Sequence, residues 1–408
     1  MQGLIGPLKE LAEFEELCKN KKKDAGMIRV CGCVNSQKSH MMYAIGDGCK
    51  YKVIACSSET KAKQIYEEYR FLDNNTYLYP AKDFLFYKAD IRSKELVKQR
   101  MEGIQAVLSG TPVTIATSLD WFMDHLAPKE SIEEKVLKIQ NDSVLKLDEM
   151  AERLSNVGYD REVQVEGPGQ FAVRGGILDI YPLTEEFPVR IEFWGDEVDS
   201  IRTFDVESQR SIENMTEITI YPAVEFPQGE EKGVSFLDYF SKEDTILFLD
   251  EPVRLVERGQ NIEEEFMEAQ KKRLENGYEL EEEEAKIFPV ADILKKINTY
   301  SSIGFFALEM KCRGLEVRES YEIQAKSVNP YNNSFEMLTQ DLKRLKRNGY
   351  RVVLLSGSRT RAKRLAEDLR DYNLSSYYGE ELGREVKPGE IMTAYGYIAE
   401  GYEYPMLK

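Results

Sequence analysis

One segment of the chain has the sequence context of a phosphate-binding loop. Residues 32–39, GCVNSQKS, follow an apolar strand and open a helix. In that context the pattern G-x-x-x-x-G-K-[ST] cradles nucleotide phosphates. Gly32, Lys38 and Ser39 match it, but Gln37 stands where the second glycine is required. That glycine lets backbone N–H groups curl around phosphate, often at positive φ. We therefore interpret the loop as a degenerate remnant, with residual nucleotide binding as the alternative.

An acidic pair could complete such a site. Asp250 and Glu251 follow the apolar run TILFL, and acidic residues after a buried strand hold Mg²⁺ in many ATPases. Pro252 follows directly, and no intact phosphate loop accompanies the pair. A structural or vestigial role is therefore our interpretation. We find no nucleophile–base pair and no His-Glu-x-x-His motif, so the sequence predicts no catalytic residue.

Two arginines and a tryptophan offer a different kind of chemistry. Arg174 lies at the bend RGG, and Arg190 and Trp194 lie four residues apart on one predicted strand. The period of two places these last two side chains on the same face, about 13 Å apart. Arg and Trp are enriched in interface hot spots. The alternative is that Trp194 is partly buried and both arginines pair with Glu192 or Asp179.

The cysteines and histidines do not indicate a metal site. Five of the 6 Cys lie in the first sixty residues without a regular disulfide framework, and the chain has only 2 His. Cys31 and Cys33 with His40 could suggest metal binding, but the spacing fits no common zinc motif. We expect these thiols to be buried or at strand ends, and we predict no metal.

The elements that position these residues alternate between strand and helix. Apolar runs at 27–31, 51–56 and 112–117 predict strands, and helices are predicted at 36–45, 58–72 and 93–108. This alternation predicts a parallel sheet covered on both faces. Hairpin signals at 170–181, 188–194 and 197–204 then predict an antiparallel α+β module. The first pattern resumes at 245–250, and a last small unit begins near residue 329.

Composition limits the kinds of partner. The 408 residues include 55 Lys and Arg against 72 Asp and Glu, a net charge of −17. Such a chain is a poor non-specific binder of nucleic acid. The basic stretches Lys343–Arg347 and Arg359–Arg364 leave a DNA-binding module as an alternative, although such helix faces are usually just solvated.

The chain carries no signal of export or membrane insertion. No apolar run reaches about 18 residues, so we predict neither a signal peptide nor a membrane span, and a cytoplasmic location. The last residues, 404–408, end where the pattern predicts the start of a strand. We expect the chain to be a piece of a longer protein.

Motifs in the middle of the chain carry a family resemblance. The strings FAVRGGILDIYP at 171–182 and RIEFWGDE at 190–197 resemble the excinuclease subunit UvrB. They resemble the bacterial transcription-repair coupling factors, the Mfd family, more closely still. The strings DVESQRS at 205–211, YPAVEFP at 221–227 and GYEYP at 401–405 match the continuation in that family. The resemblance extends over essentially the whole chain.

The resemblance implies an α/β fold with three units. A degenerate helicase-like, RecA-type parallel-sheet domain is formed by residues 1–119 and 221–318. It is split by an inserted antiparallel α+β domain at 120–220, and a small α/β domain follows at 319–408.

The resemblance also implies a function in nucleotide excision repair. The family's inserted domain binds UvrA and so brings repair to stalled transcription complexes. Arg174, Arg190 and Trp194 match its two UvrA-contacting arginines and its aromatic residue, which is commonly Phe. The resemblance further implies that a C-terminal domain masks this surface in the full-length family protein.

Other activities of the family are expected beyond residue 408. ATP and Mg²⁺ would belong to the translocase motor there, and RNA polymerase and double-stranded DNA would bind regions outside this chain. UvrB clamps DNA with a long aromatic hairpin, and the stretch 79–90 is too short for one. The resemblance therefore implies a non-catalytic interaction module. The alternative is an ATP-dependent, damage-binding enzyme of the UvrB type.

Overall fold

A computed structural model of the protein describes residues 2–80, 94–225, 233–277, 287–380 and 383–407. Within these ranges no helix has both the length and the apolar character needed to cross a membrane.

The first part of the chain forms alternating helices and strands, as its sequence predicts. Their bounds are α1 Gln2–Ile5, α2 Ala12–Asn20, β1 Gly26–Cys31, α3 Asn35–Ile45, β2 Tyr51–Cys56, α4 Glu59–Tyr69, β3 Thr76–Tyr79, α5 Lys94–Leu108 and β4 Val113–Ser118. Ser58 caps α4, since its hydroxyl oxygen accepts a hydrogen bond from the Lys61 backbone N–H. A short 3-10 helix, Leu119–Met123, follows β4.

The next part of the chain forms the antiparallel module. Its elements are α6 Lys129–Glu134, β5 Leu137–Gln140, α7 Leu147–Asn156, β6 Asp160–Arg161, β7 Gln170–Arg174, β8 Ile177–Tyr181, β9 Val189–Trp194, β10 Glu197–Phe204, β11 Ser211–Met215 and β12 Glu217–Ile220. Six of the strands form one sheet in the order β11-β10-β9-β8-β7-β6, while β12 pairs with β5. Residues 134–139 alternate between polar and apolar side chains, which predicts a half-exposed strand over that range. The strand begins later, at Leu137, because α6 extends to Glu134.

The chain then returns to the first sheet. The next elements are β13 Thr245–Asp250, α8 Pro252–Glu275, α9 Val290–Ile297, β14 Ser301–Phe306 and β15 Val317–Glu322. The seven-stranded sheet has the order β15-β1-β14-β13-β2-β4-β3, and all of its pairs are parallel. β13 therefore shares a sheet with β1 and β2, as the resumed alternation predicts.

Both faces of this sheet are buried, which explains its continuous apolar strands. In β13, Leu247 and Leu249 contribute to one hydrophobic core, while Ile246 and Phe248 contribute to a second core on the opposite face. Successive side chains of a strand point to opposite faces, so a strand between two cores reads as an unbroken apolar run.

The last part forms a smaller parallel sheet. Its elements are β16 Lys326–Ser327, α10 Phe335–Arg347, β17 Val352–Ser356, α11 Arg359–Asp371, β18 Ser376–Gly379, β19 Ile391–Tyr395 and β20 Tyr402–Glu403. The three-stranded sheet has the order β17-β19-β18. The α/β fold class predicted from the sequence, two parallel sheets with an inserted antiparallel module, is confirmed.

The predicted domain boundaries remain predictions, and the structure adds two details. The boundary between 318 and 319 falls inside β15, which pairs with β1. The boundary between 119 and 120 falls inside the 3-10 helix Leu119–Met123, which contributes Trp121 to the core of the large sheet, packed against Tyr79 and Phe236. Most of the stretch 79–90, whose length argues against a UvrB-type hairpin, and the acidic run 281–284 lie outside the described residues.

Candidate functional site

The inserted module has one sheet face that packs on a helix and one that carries charged side chains. Met150, Ala151 and Leu154 of α7 share a hydrophobic core with inward-pointing residues of β7 to β10. Because side chains alternate along a strand, the residues between these core positions point to the other side. We call this other side the outer face. Arg174 of β7, Asp179 of β8 and Arg190 of β9 all lie on it.

Asp179 organises the two arginines of the outer face. Its side chain is 1% exposed and stands opposite Arg190 in the strand register. It accepts a hydrogen bond from Arg174 Nη2 at 2.5 Å, and from Arg190 Nε at 2.6 Å and Nη2 at 2.9 Å. A bidentate guanidinium–carboxylate pair fixes both position and orientation. One carboxylate thus holds two guanidinium groups, and a positive charge remains on this part of the face.

Arg190 is held more tightly than the sequence suggests. Besides Asp179, it donates to Gln209 Oε1 at 2.9 Å, and its guanidinium lies 4.5 Å from the centre of the buried Phe204 ring. The hydrogen bond to Asp179 raises its pKa above the usual value, so it stays charged. Only 13% of its side chain is exposed. The sequence also leads us to expect that Arg174, Arg190 and Trp194 form one exposed patch, and this expectation is wrong at Arg190, whose side chain is mostly covered.

Arg174 and Trp194 are the accessible members of the set. The Arg174 side chain is 44% exposed, and Trp194 is 83% exposed at the end of β9, next to the turn at Gly195. The alternative in which Trp194 is partly buried is thus wrong. The alternative pairing of the arginines is right for Asp179 but not for Glu192, which instead binds Arg202 and Ser200.

Two of the residues that position Arg190, Phe204 and Gln209, are not indicated by the sequence. Phe204 is apolar on a predicted strand, and its contact with Arg190 depends on how β9 and β10 pair. Gln209 lies in a turn at a positive φ of 58°, where Gln is uncommon. That unusual backbone angle cannot be read from residue type alone. Asp179, by contrast, stands out as a charged residue inside an apolar strand.

The degenerate phosphate loop lies at the end of β1, and Asp250 and Glu251 lie at the end of β13 in the same sheet. Gly32 has a positive φ of 81°, and a Cβ there would meet the backbone of Gln324 and Ile323 at 3.2 Å. The positive φ and the close packing against this neighbouring segment together favour glycine here. Gln37 is fully buried, and its side-chain oxygen accepts from the Val34 N–H at 3.3 Å. This side chain occupies the interior of the loop.

Lys38 is bound by the acidic pair. Its side chain is 3% exposed, and its Nζ lies 2.7 Å from Asp250 Oδ1 and 2.6 Å from Glu251 Oε1. Burial lowers the pKa of Lys38, but the two carboxylates outweigh it, so the pKa is raised and the ammonium stays charged. The groups that would hold phosphate and magnesium in a working ATPase therefore neutralise each other.

A third carboxylate occupies the start of α3. Glu68 of α4 accepts hydrogen bonds from the Ser36 hydroxyl at 2.6 Å and from the Ser39 hydroxyl. The backbone N–H of Ala399 donates to the same carboxylate at 3.0 Å, and the N–H of Glu400 donates to Ser36 Oγ at 3.0 Å. The segment near the C-terminus thus lies across the loop. Gln37, Glu68 and this segment thus occupy the surroundings of Lys38 and of the two serine hydroxyls.

Cys31, Cys33 and Cys56 lie at strand ends or in the core, and His40 is held by hydrogen bonds. Cys31 and Cys56 end β1 and β2, and Cys33 is buried, as expected. Burial raises the pKa of the Cys33 thiol to about 12, which disfavours the thiolate form that binds metals. Both ring nitrogens of His40 have hydrogen-bond partners, Leu4 O and Tyr404 OH. The described ranges contain no group of three or more His, Cys, Asp and Glu residues that could hold a metal ion.

The inserted module and much of the remaining chain are similar to known proteins. Residues 137–226 match the family model described as "UvrB interaction domain". The transcription-repair-coupling factor of Bacillus subtilis (strain 168) is 26% identical over 82% of this chain and 33% of its own length. The one from Staphylococcus haemolyticus (strain JCSC1435) is 23% identical over 83% of this chain and 33% of its own.

A solved structure gives only a weak superposition. A DEAD box protein from Methanococcus jannaschii is 10% identical over 97% of this chain and 78% of its own, with a TM-score of 0.28. A score this low does not bear on the fold.

This chain spans about a third of the length of the curated relatives it matches. The resemblance that the motifs predict is therefore confirmed: residues 137–226 match the UvrB interaction domain, and the chain is similar, over most of its length, to transcription-repair-coupling factors.

Proposed function

We propose that this chain recruits UvrA to stalled transcription complexes in nucleotide excision repair, as a non-catalytic part of a transcription-repair coupling factor. UvrA would bind the outer face at Arg174, Arg190 and Trp194. The observation that carries the proposal is the exposure of Arg174 and Trp194 on a rigid sheet inside the segment that matches the UvrB interaction domain. The cytoplasmic location predicted from the sequence is part of this proposal.

The three residues would contribute in different ways. Arg174 shares Asp179 with Arg190, so it keeps N–H donors and positive charge for a carboxylate of the partner. Trp194 supplies a flat apolar surface, and burying it on binding removes that surface from water. Arg190 acts chiefly as a positioning residue, because it fixes Asp179 and through it Arg174. Arg174 would thus be held in its binding conformation before UvrA binds, which lowers the entropic cost of binding.

We expect Arg174→Glu and Trp194→Ala each to weaken capture of UvrA about 30-fold or more, the loss typical of a truncated anchor. The measurement is biolayer interferometry of this chain against UvrA from the same source. Arg153→Glu is the matched control, since Arg153 is exposed on α7, on the other side of the same module. Lys343→Glu is a control outside the module. If these controls weaken binding as much as the two variants do, the assignment of the outer face fails.

The Arg190→Glu variant should change stability as well as binding. Arg190→Glu would place a carboxylate against the buried Asp179, so we expect it to lower the melting temperature as well as binding. Loss of binding in that variant is therefore informative only beside its melting curve. Arg174→Glu is the cleaner test, because nearly half of that side chain already lies in water.

The partners of the full-length relatives extend this proposal. RNA polymerase and double-stranded DNA would bind regions beyond this chain, and ATP and Mg²⁺ would serve a motor there. A C-terminal domain absent from this chain would mask the UvrA surface. We propose no cofactor for residues 1–408.

For this chain we expect no binding of Mg-ATP in isothermal titration calorimetry. Gln37 fills the loop, Lys38 is neutralised by Asp250 and Glu251, and Glu68 occupies the two serine hydroxyls. Gln37→Gly alone should not restore ATP hydrolysis, since the carboxylates remain. A micromolar dissociation constant for the wild-type chain would contradict the proposal and favour an ATP-dependent enzyme of the UvrB type.

A further inference from the structure

One surface of the small C-terminal sheet differs in charge from the rest of the protein. The whole chain has 55 Lys and Arg against 72 Asp and Glu, whereas residues 319–408 have 14 against 13. Residues 358–366, at the start of α11, contain four basic side chains and no acidic one. These are Arg359, Arg361, Lys363 and Arg364, and all four are exposed.

In the part of the chain that the structure describes, no carboxylate neutralises the four cations. Among the described residues, none of the four forms an ion pair; Arg359 and Lys363 instead lie over the rings of Tyr395 and Tyr378, at 5.9 and 5.2 Å. In the other basic stretch, at the end of α10, Arg344 pairs with Asp341 at 2.7 Å, while Lys343 and Arg347 form no ion pair with the described residues. The α11 stretch differs from it chiefly in the tyrosine rings beside its cations.

Exposed aromatic rings stand beside the basic helix. In a parallel sheet the carboxyl ends of the strands meet at one edge, where ligands commonly bind. α11 starts just after β17, and a hydrogen bond from Gly396 N–H to Ser356 O joins that point to the end of β19. Tyr395 and Tyr397 lie there, each 40% exposed. Phe71, at the end of α4, packs against both rings, at 5.4 and 6.3 Å between centroids.

We propose that Arg359, Arg361, Lys363 and Arg364, with Tyr395 and Tyr397, form a binding surface for single-stranded DNA. Unpaired cations attract the phosphate backbone by charge complementarity. Bases expose their faces for stacking only when they are unpaired, and tyrosine rings beside a basic track are the usual platform for them. Phe71 packs against both rings, so the rings lose little conformational freedom when single-stranded DNA binds. This inference is independent of UvrA binding.

The test is fluorescence anisotropy of the full 408-residue chain with a labelled oligo-dT of about 16 nucleotides. Contacts to four phosphates predict a slope of about −2.8 for log K against log salt, or about 50-fold weaker binding between about 50 and about 200 mM salt. Arg361→Glu with Arg364→Glu should weaken binding at least about tenfold and roughly halve the slope. Tyr397→Ala should weaken it at least about fivefold.

The matched control is Lys343→Glu with Arg347→Glu on α10, which changes the net charge equally and should leave the affinity within about twofold, as expected for solvated charges. If the reversed α11 variant melts early, Arg361→Gln with Arg364→Gln replaces it. The proposal is overturned if the wild-type chain does not bind oligo-dT at about 50 mM salt, or if the two double variants lose affinity equally. Equal or tighter binding of a duplex, or equally effective displacement by polyglutamate, would also overturn it.

Discussion

Replacing Lys38 by methionine should lower the free energy of unfolding by about 3–5 kcal/mol. Lys38 and Asp250 are both nearly inaccessible to water and lie 2.7 Å apart. Removing the cation leaves the Asp250 carboxylate buried without its counter-charge, and an unpaired buried charge is far more costly than the pair itself is favourable. Urea unfolding followed by circular dichroism measures the loss.

The double variant Lys38→Met with Asp250→Asn is the control for this prediction. It removes both charges, so we expect most of the lost stability to return. Glu251 is partly exposed and also accepts from the Ala307 N–H, so it can keep its charge in the double variant. A loss below about 1 kcal/mol in the single variant, typical of exposed pairs, would mean that water reaches this ion pair. The loop would then be more open than the structure describes.

Acid should destabilise the protein through His40. Its pKa is lowered to about 4 because burial disfavours the charged ring, although the hydrogen bond to Leu4 acts in the opposite direction. A carbonyl oxygen can only accept, so Nε2 carries the proton and donates to Leu4 O, while Nδ1 accepts from Tyr404 OH. The neutral ring thus joins the N-terminal helix, α3 and the C-terminal segment.

His40 contributes less to stability at low pH because its pKa is lower in the folded chain than in the unfolded chain. The unfolded chain takes up the proton near pH 6.5, while the folded chain resists it until about pH 4. The contribution of His40 is therefore complete above about pH 6.5 and is lost as the pH falls towards 4, by about 3 kcal/mol in total.

Urea unfolding of the wild type and of His40→Gln across that pH range measures this contribution. The stability difference between the two proteins should narrow by about 3 kcal/mol as the pH falls. Carboxylates also titrate in this range, but they are common to both proteins and cancel in the difference. A difference that does not change with pH would show that His40 is hydrated in the folded protein.

Several features follow from the sequence because they depend on local pattern. The unbroken apolar run of β13 predicts a strand buried on both faces, and alternation in β9 predicts that Arg190 and Trp194 share one face. Ser58 predicts the start of α4, since capping needs only a side chain three residues from a free N–H. The motif strings predict the family resemblance. Each of these inferences uses residues close together in the chain.

The contacts that define both sites were decided by the tertiary structure. Lys38 meets Asp250 across 212 residues, and Glu68 meets Ala399 across 331. The sequence could show that Gln37 interrupts the phosphate loop, but not that Glu68 and the C-terminal segment occupy its remaining groups. It could place Arg190 on a strand face, but it could not show that Arg190 contacts Asp179 and the ring of Phe204. Periodicity fixes the direction of a side chain, whereas burial and pairing depend on which distant segments pack against it.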